Sequence, residues 1–302
     1  MFLYLNSGYS GLFKNSSFLD VESYTYNEKN GVSVYGGFGD VIFPSDVDIL
    51  YGKLNFYISS SSFNFFIGVC EPGLINGLII EIANGKIYYQ CKFDNKSSLE
   101  KQSISYDNNI LKDNELNSVW FCVVPSTNKY SGFIKIIINN VEIISTYTSL
   151  EFDCKSMEIY SQNTNVFLSN FIFSDEAIDL YSEVFSPVVN ILSDTDMVLQ
   201  DDIYIASQSG QKNVQAINVD DLISRYGCNA DVTGIAIAGM FTHSEVDSIG
   251  SMVSVEKYNN NYIVRKKYNL DNNVDYIMDS ELLKNTKLDE FVNRTYGWIA
   301  KS

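Results

Sequence analysis

The sequence predicts an all-β protein: a two-sheet antiparallel sandwich over residues 1–183, then a smaller, mostly β domain over residues 187–302 with one or two short helices. Three observations predict it. The chain holds 21 Tyr and 19 Phe but only 4 Pro, and aromatic and β-branched residues favour strands while Asn, Ser, Gly and Asp favour the turns between them. Apolar runs of strand length recur about every 8 to 15 residues with no helical period between them. Two such runs are joined by Asn84 and Gly85, a strong short-range hairpin signal.

Taken in order, residues 1–20 scatter Gly8 and Gly11 among Ser, Asn and apolar residues, and read as a short strand or extended arm. Short strands at 22–26 and 32–35 flank a turn with Asn-Gly chemistry. Gly36, Gly37 and Gly39 make a loop that lacks the strand-and-helix context of a phosphate-binding loop. Residues 52–58 alternate, 59–62 turn, and strands follow at 63–70, 77–83 and 86–93. Residues 94–117 are polar, with periodicity only near 104–106. Residues 118–125 are nearly all apolar, which predicts a strand buried on both faces and puts Trp120 in the core. A strand at 131–138, a turn at Asn139 and Asn140, and strands at 141–144 and 156–161 come next. The strand from Val166 closes the sandwich, with Phe167, Ser169, Phe171 and Phe173 on one face and Val166, Leu168, Asn170 and Ile172 on the other. Ser174, Asp175 and Glu176 stop it by competing for backbone hydrogen bonds.

A short acidic stretch and Pro187 mark the boundary. Strands are expected at 188–192, 197–205, 213–219, 232–240, 251–258, 262–268 and 296–300. Asp220 and Asp221 open a helix over 220–226, Leu222 and Ile223 give it an apolar side, and Gly227 ends it. A second short helix is expected to begin at Asp279.

The 302 residues suffice for one large or two ordinary domains. A 45% hydrophobic and 19% charged composition is that of a globular chain with a sizeable core. A net charge of −16 disfavours nucleic acid and anionic membrane as partners, because both are themselves negative, and it also serves solubility. Cys70, Cys91, Cys122, Cys154 and Cys228 are odd in number and widely spaced, without zinc-ligand spacing. Cys91 and Cys122 sit in apolar runs and read as small buried hydrophobes. The first six residues lack the basic segment of a secretory signal, and no apolar run reaches the roughly 18 residues that cross a bilayer, so no membrane insertion is expected.

Residues 53–58, 77–82 with 84–88, 117–121, 134–140 and 168–176 resemble the concanavalin A-like (laminin-G-like) jelly roll, whose closing strand carries a pattern similar to Leu168 through Glu176. The likeness spans about residues 1–180 and implies fold more than activity. With residues 216–239 and the stretch 294–298 behind it, the domain order resembles phage and prophage proteins of anaerobic gut Firmicutes that are associated with tail or virion-surface genes. That resemblance implies a non-enzymatic virion structural protein on the tail or capsid surface. It would display a lectin-like domain toward host cell-surface glycans, partnered by other virion proteins and by copies of itself. It would be made in the host cytoplasm without a signal peptide. A bacterial adhesin or carbohydrate-binding module is the alternative reading, and a glycoside hydrolase the third.

The hydrolase reading needs two cleft carboxylates. Glu151 and Asp153 begin such a pattern, but Ser156 and Met157 stand where the third acid belongs and Glu158 comes too late. The single histidine, His243, lies in a loop-like stretch and has no metal-binding partner histidine. Calcium would draw on Asp46 and Asp48, Asp113, or Asp194, Asp196, Asp201 and Asp202, none in the spaced pattern of a calcium loop. For stacking against sugar rings, Tyr35, Tyr57, Tyr89 and Tyr130 lie near strand ends or loops. No catalytic or metal-ligating residue is assigned, the ligand-binding residues stay open, and no cofactor is expected.

Overall fold

The computed structural model describes residues 3–6, 22–26, 29–35, 38–57, 63–71, 74–83, 86–93, 96–97, 102–105, 110–112, 115–127, 129–148, 154–161, 165–185, 189–200, 203–241, 250–258, 261–270, 275–292 and 294–302. The chain divides into two compact units, Met1–Phe185 and Ser186–Ser302.

Fifteen strands are described in the first unit: β1 (Leu3–Asn6), β2 (Glu22–Tyr26), β3 (Lys29–Tyr35), β4 (Phe38–Val47), β5 (Leu50–Tyr57), β6 (Phe63–Glu71), β7 (Leu74–Ala83), β8 (Lys86–Phe93), β9 (Lys96–Ser97), β10 (Gln102–Ser105), β11 (Leu116–Val124), β12 (Gly132–Ile138), β13 (Val141–Thr148), β14 (Cys154–Ser161) and β15 (Asn165–Ser174). They form an eight-stranded sheet, β13-β12-β11-β5-β15-β3-β2 with β1 also on β15, and a seven-stranded sheet, β10-β8-β7-β6-β14-β4 with β9 on β8. The pairings are antiparallel, and the chain passes from one sheet to the other at β3–β4, β4–β5, β5–β6, β10–β11, β13–β14 and β14–β15. Such repeated crossings between two antiparallel sheets are the jelly-roll pattern. Each sheet buries one face: Leu50, Leu54, Phe56, Val119, Phe121 and Ile136 in the first, and Leu78, Ile80, Ile82 and Met157 in the second.

Several expectations are corrected. Gly39 does not lie in a loop, because β4 begins at Phe38 and runs through Pro44, while Gly36 and Gly37 lie outside the described residues. Proline is tolerated there because β4 is the end strand of its sheet and Pro44 withholds no central ladder bond. Short strands β9 and β10 also occupy the polar stretch after residue 94. Strand β11 buries both faces over Phe121, Cys122 and Val123, but Trp120, expected in the core, is only half-buried on the outer face, opposite Lys53. In β15 the alternation breaks at Asn170, whose φ of 57° makes a bulge between Ser169 and Ile172. Val166 and Leu168 therefore share the core face with Phe171 and Phe173, while Phe167, Ser169 and Ile172 face outward beside Tyr57, Asn55 and Lys53.

In the second unit β16 (Val189–Thr195), β19 (Lys212–Ile217), β24 (Thr295–Lys301), β21 (Ser251–Tyr258) and β22 (Asn261–Asn269) make a five-stranded sheet in the order β16-β19-β24-β21-β22. Two ribbons complete it, β17 (Val198–Gln200) with β18 (Ile203–Ile205), and β20 (Asp231–Phe241) with β23 (Asp275–Lys287). Helix α1 spans Asp220–Tyr226, with both acids in its first turn and Gly227 at φ 86° after it. The helix expected from Asp279 is not formed: Asp279 lies inside β23, and the short 3-10 helix comes later, at Leu288–Phe291. Met252, Tyr296, Trp298 and Ala300 of the sheet pack with Ile237 and Ile277 of the longer ribbon, and with Leu288 and Phe291, in the main core of this unit. Among the described residues no helix is long and apolar enough to cross a membrane.

Candidate functional site

The seven-stranded sheet has a core face set by Leu78, Ile80 and Ile82, so its other face carries Ile79 and Glu81 of β7, both half-buried. Register extends that outer face across the sheet. Glu81 lies opposite Tyr88 of β8 and Asn64 of β6; Asn64 lies opposite Tyr160 of β14, and Tyr160 opposite Phe38 of β4. Two residues along the strands, a second row runs Gln90, Ile79, Phe66, Glu158 and Asp40. Five strands about 4.8 Å apart make each row roughly 19 Å long, the length of a short oligosaccharide. Among the residues of these rows whose side chains are described, Tyr88 offers a ring, which suits the C–H face of a sugar, and Glu81 and Glu158 offer carboxylates, which suit its hydroxyls.

The outer face of the eight-stranded sheet is built differently. Lys53 is 5% exposed there, and its Nζ donates to the carbonyls of Leu180 at 2.6 Å and Ser182 at 2.5 Å. The Trp120 indole N–H donates to the Ile178 carbonyl at 3.1 Å, and the Asn170 amide oxygen accepts from the Val184 N–H at 2.5 Å. These bonds bind the strap 175–185 onto that face. Beyond it, Cys122 and Tyr51 lie opposite each other, and burial raises the Cys122 thiol and the Tyr51 phenol above their ordinary values.

The residues singled out from sequence scatter. Glu151, Asp153, Asp113, Asp201, Asp202, His243 and the Asn84-Gly85 turn lie outside the described residues. Ala83 pairs with Lys86, which leaves two residues between the strands. That register sets Tyr89 opposite Ile80 and sets half-buried Tyr88 opposite Glu81, on the outer face. Tyr35 ends β3 opposite Asn165, Tyr57 is half-buried on the strap side, and Tyr130 is 75% exposed at a turn. Glu158 joins the outer face of the seven-stranded sheet, Asp46 lies in β4, and Asp48 is exposed beyond its end. The two rows were out of reach of sequence reasoning because they depend on which distant strands become neighbours.

Asp194 and Asp196, weighed as calcium ligands, meet cations of the chain itself. Asp194 accepts from Lys257 Nζ at 2.6 Å and from the Tyr262 hydroxyl, and pairs with Lys212 at 3.3 Å. Lys257 first, then Tyr262, hold its carboxyl down at about 2. Asp196 accepts from the Lys212 backbone N–H at 2.5 Å. A second cluster joins the five-stranded sheet to the longer ribbon: buried Asp279 accepts from Ser254 Oγ at 2.7 Å, Arg265 Nε at 2.8 Å and the Tyr268 hydroxyl at 3.2 Å. Burial, then Asp279, raises the Tyr268 phenol. Burial, then Glu256, pushes Tyr296 up to about 12. Every polar atom named in this second cluster serves to fix strands to one another. Among the described residues no three His, Cys, Asp or Glu side chains come together as a metal site.

No family model and no curated protein matches the sequence. Solved structures similar to this chain include sheep galectin-11 in complex with glycerol, at 11% identity over 47% of this chain and 98% of that one, with a TM-score of 0.36. The carbohydrate-binding module CBM66 from Bacillus subtilis is 8% identical over 50% of this chain and 90% of its own, with a TM-score of 0.37. The β-glucanase of Bacillus licheniformis is 11% identical over 57% of this chain and 90% of its own, with a TM-score of 0.33.

Proposed function

We propose that the chain is a non-enzymatic carbohydrate-binding protein whose ligand lies along the outer face of the seven-stranded sheet. The observation that carries this is the register that sets Tyr88, Glu81, Asn64 and Tyr160 side by side, with Gln90, Phe66, Glu158 and Asp40 in the adjoining row. The ligand is an uncharged, hydroxyl-rich oligosaccharide, because the carboxylates of these rows and a net charge of −16 both repel anions. The wider reading is a phage virion-surface protein, on tail or capsid, assembled with other virion proteins and with copies of itself. It is supported by the resemblance carried by residues 168–176, 216–239 and 294–298.

A glycan array probed with the full chain tests the binding, with Glu81→Gln and Tyr88→Ala as variants. Binding to neutral glycans, weakened tenfold or more in each variant, is expected; a tenfold loss corresponds to about 1.4 kcal/mol. An array without hits, or variants that bind as the parent does, refutes it. Release of shortened sugars from a bound glycan refutes the non-enzymatic part. Absence of the protein from purified particles refutes the virion part.

A further inference from the structure

We infer that β13 is the edge through which two copies of this chain join, antiparallel across a twofold axis, so that their eight-stranded sheets run on into one another. The inference deepens the self-association in the reading above and is independent of the glycan.

Among the described strands β13 has one neighbour, β12. A strand with a free edge presents unpaired N–H and C=O groups, and sheets blunt such edges with charge, proline, shortness or bulges. The other ends of the eight-, seven- and five-stranded sheets are blunted, while β20 of the longer ribbon is likewise uncharged over residues 232–241. Strand β4 carries Asp40, Pro44 and Asp46. Strand β10 has four residues and β2 five, beginning with Glu22. In the second unit β22 carries Arg265, Lys266 and Lys267, and β16 is bulged between Asn190 and Asp194. Strand β13 has a bulge only at its start, opposite Ile136 and Ile137. From there residues 143–148 contain no charge and no proline, and are Ile, Ser, Thr and Tyr. Its one charge, Glu142, is neutralised by Lys135 at 2.9 Å.

The occupant is argued from charge, shape and area. The chain is strongly acidic, so most of its surfaces repel a second copy. Residues 116–148 are the exception, with Lys129 and Lys135 against the single acid Glu142. An antiparallel edge is complementary to itself under a twofold rotation, which closes the assembly at two. One edge strand alone falls short of the about 1,600 Å² that a stable interface buries. Large exposed side chains flank this edge to supply the rest: Tyr147 at 77%, with its ring 5.6 Å from Phe133, Tyr130 at 75%, and Val141.

The test is the mass of the full chain in solution at tens of micromolar, by light scattering after gel filtration. The parent is expected to be a dimer. Ser145→Lys with Tyr147→Lys, which sets like charges against each other across the axis, is expected to be monomeric. Ile263→Lys, on the exposed part of β22, is expected to stay dimeric. A monomeric parent, a trimer, a dimer that survives the double lysine variant, or one broken only by Ile263→Lys overturns the inference. Should the double variant fail to fold, Ser145→Cys decides it. An oxidised dimer on a denaturing gel, above the background that exposed Cys228 gives in the parent, supports the edge, and its absence overturns it. Glycan binding is measured on the same samples. A monomer that still binds glycan, or a dimer that binds none, shows which of the two readings has failed.

Discussion

Asp194 keeps its charge far into acid because Lys257 and Tyr262 donate to it. Its folded value of about 2 lies below the roughly 3.9 of an unfolded aspartate, so its contribution to stability is complete above the unfolded value and is lost as pH falls through the folded one. With 27% of the side chain exposed, solvent screens the ion pair to about 1 kcal/mol or less. Asp194→Asn is expected to lower the melting temperature of the second unit at pH 7, and the difference from the parent is expected to shrink between pH 4 and pH 2. A difference that holds undiminished to pH 2 contradicts the pairing. In the first unit Gly52 faces Phe121 so closely that a Cβ would stand 1.9 Å from the ring. Gly52→Ala is expected to cost at least about 2 kcal/mol in urea unfolding, and Phe121→Leu on top of it to recover part of that. Neither feature was legible in the sequence. The alternation around Gly52 marks a strand, but only the cross-strand register shows that Phe121 fills the space a side chain would take.

Strand β15 shows what an element adds to its residues. Asn170 holds a left-handed backbone in mid-strand, and its amide oxygen accepts from the strap at Val184. Asn170→Gly keeps the backbone and loses the hydrogen bond, while Asn170→Ala loses both. The alanine variant is expected to be less stable than the glycine variant by about 1 kcal/mol, measured from urea midpoints; equal costs would mean that the bulge is unstrained. Sequence pattern located β15 because its residues are strongly apolar, but simple alternation gave the wrong faces, since a bulge moves every later side chain to the other side. Where neighbours set the outcome, pattern failed. Strand β4 hid behind glycines and a proline that its place at the sheet end tolerates. In β23, Asp279 looked like a helix start but is held in the sheet by Ser254, Arg265 and Tyr268.

At the scale of the whole molecule, the division near residue 186 was legible from an acidic stretch and a proline, and the all-β class from composition and spacing. The candidate site was not. Its residues come from β4, β6, β7, β8 and β14, and a cross-strand row exists only once those strands lie side by side. Net charge, in contrast, is plain in the sequence and has a measurable consequence. Sulfated and sialylated glycans are expected to bind no better at low salt than at high salt, and neutral ones to bind with little salt dependence. Tight, salt-sensitive binding of an anionic glycan would place the ligand on another surface.

Strand β15 also dictates the order of events during synthesis. It pairs with β5 along its length on one side, and on the other with β3 through residues 165–168 and with β1 through residues 171–174. While the nascent chain is shorter than this, β1 has no partner among the described strands and β5 has one free side. The eight-stranded sheet therefore cannot close until residue 174 has left the ribosome. Such non-local pairing folds slowly and exposes open strand edges in the interval, so chains interrupted before β15 are the species that aggregate or engage chaperones.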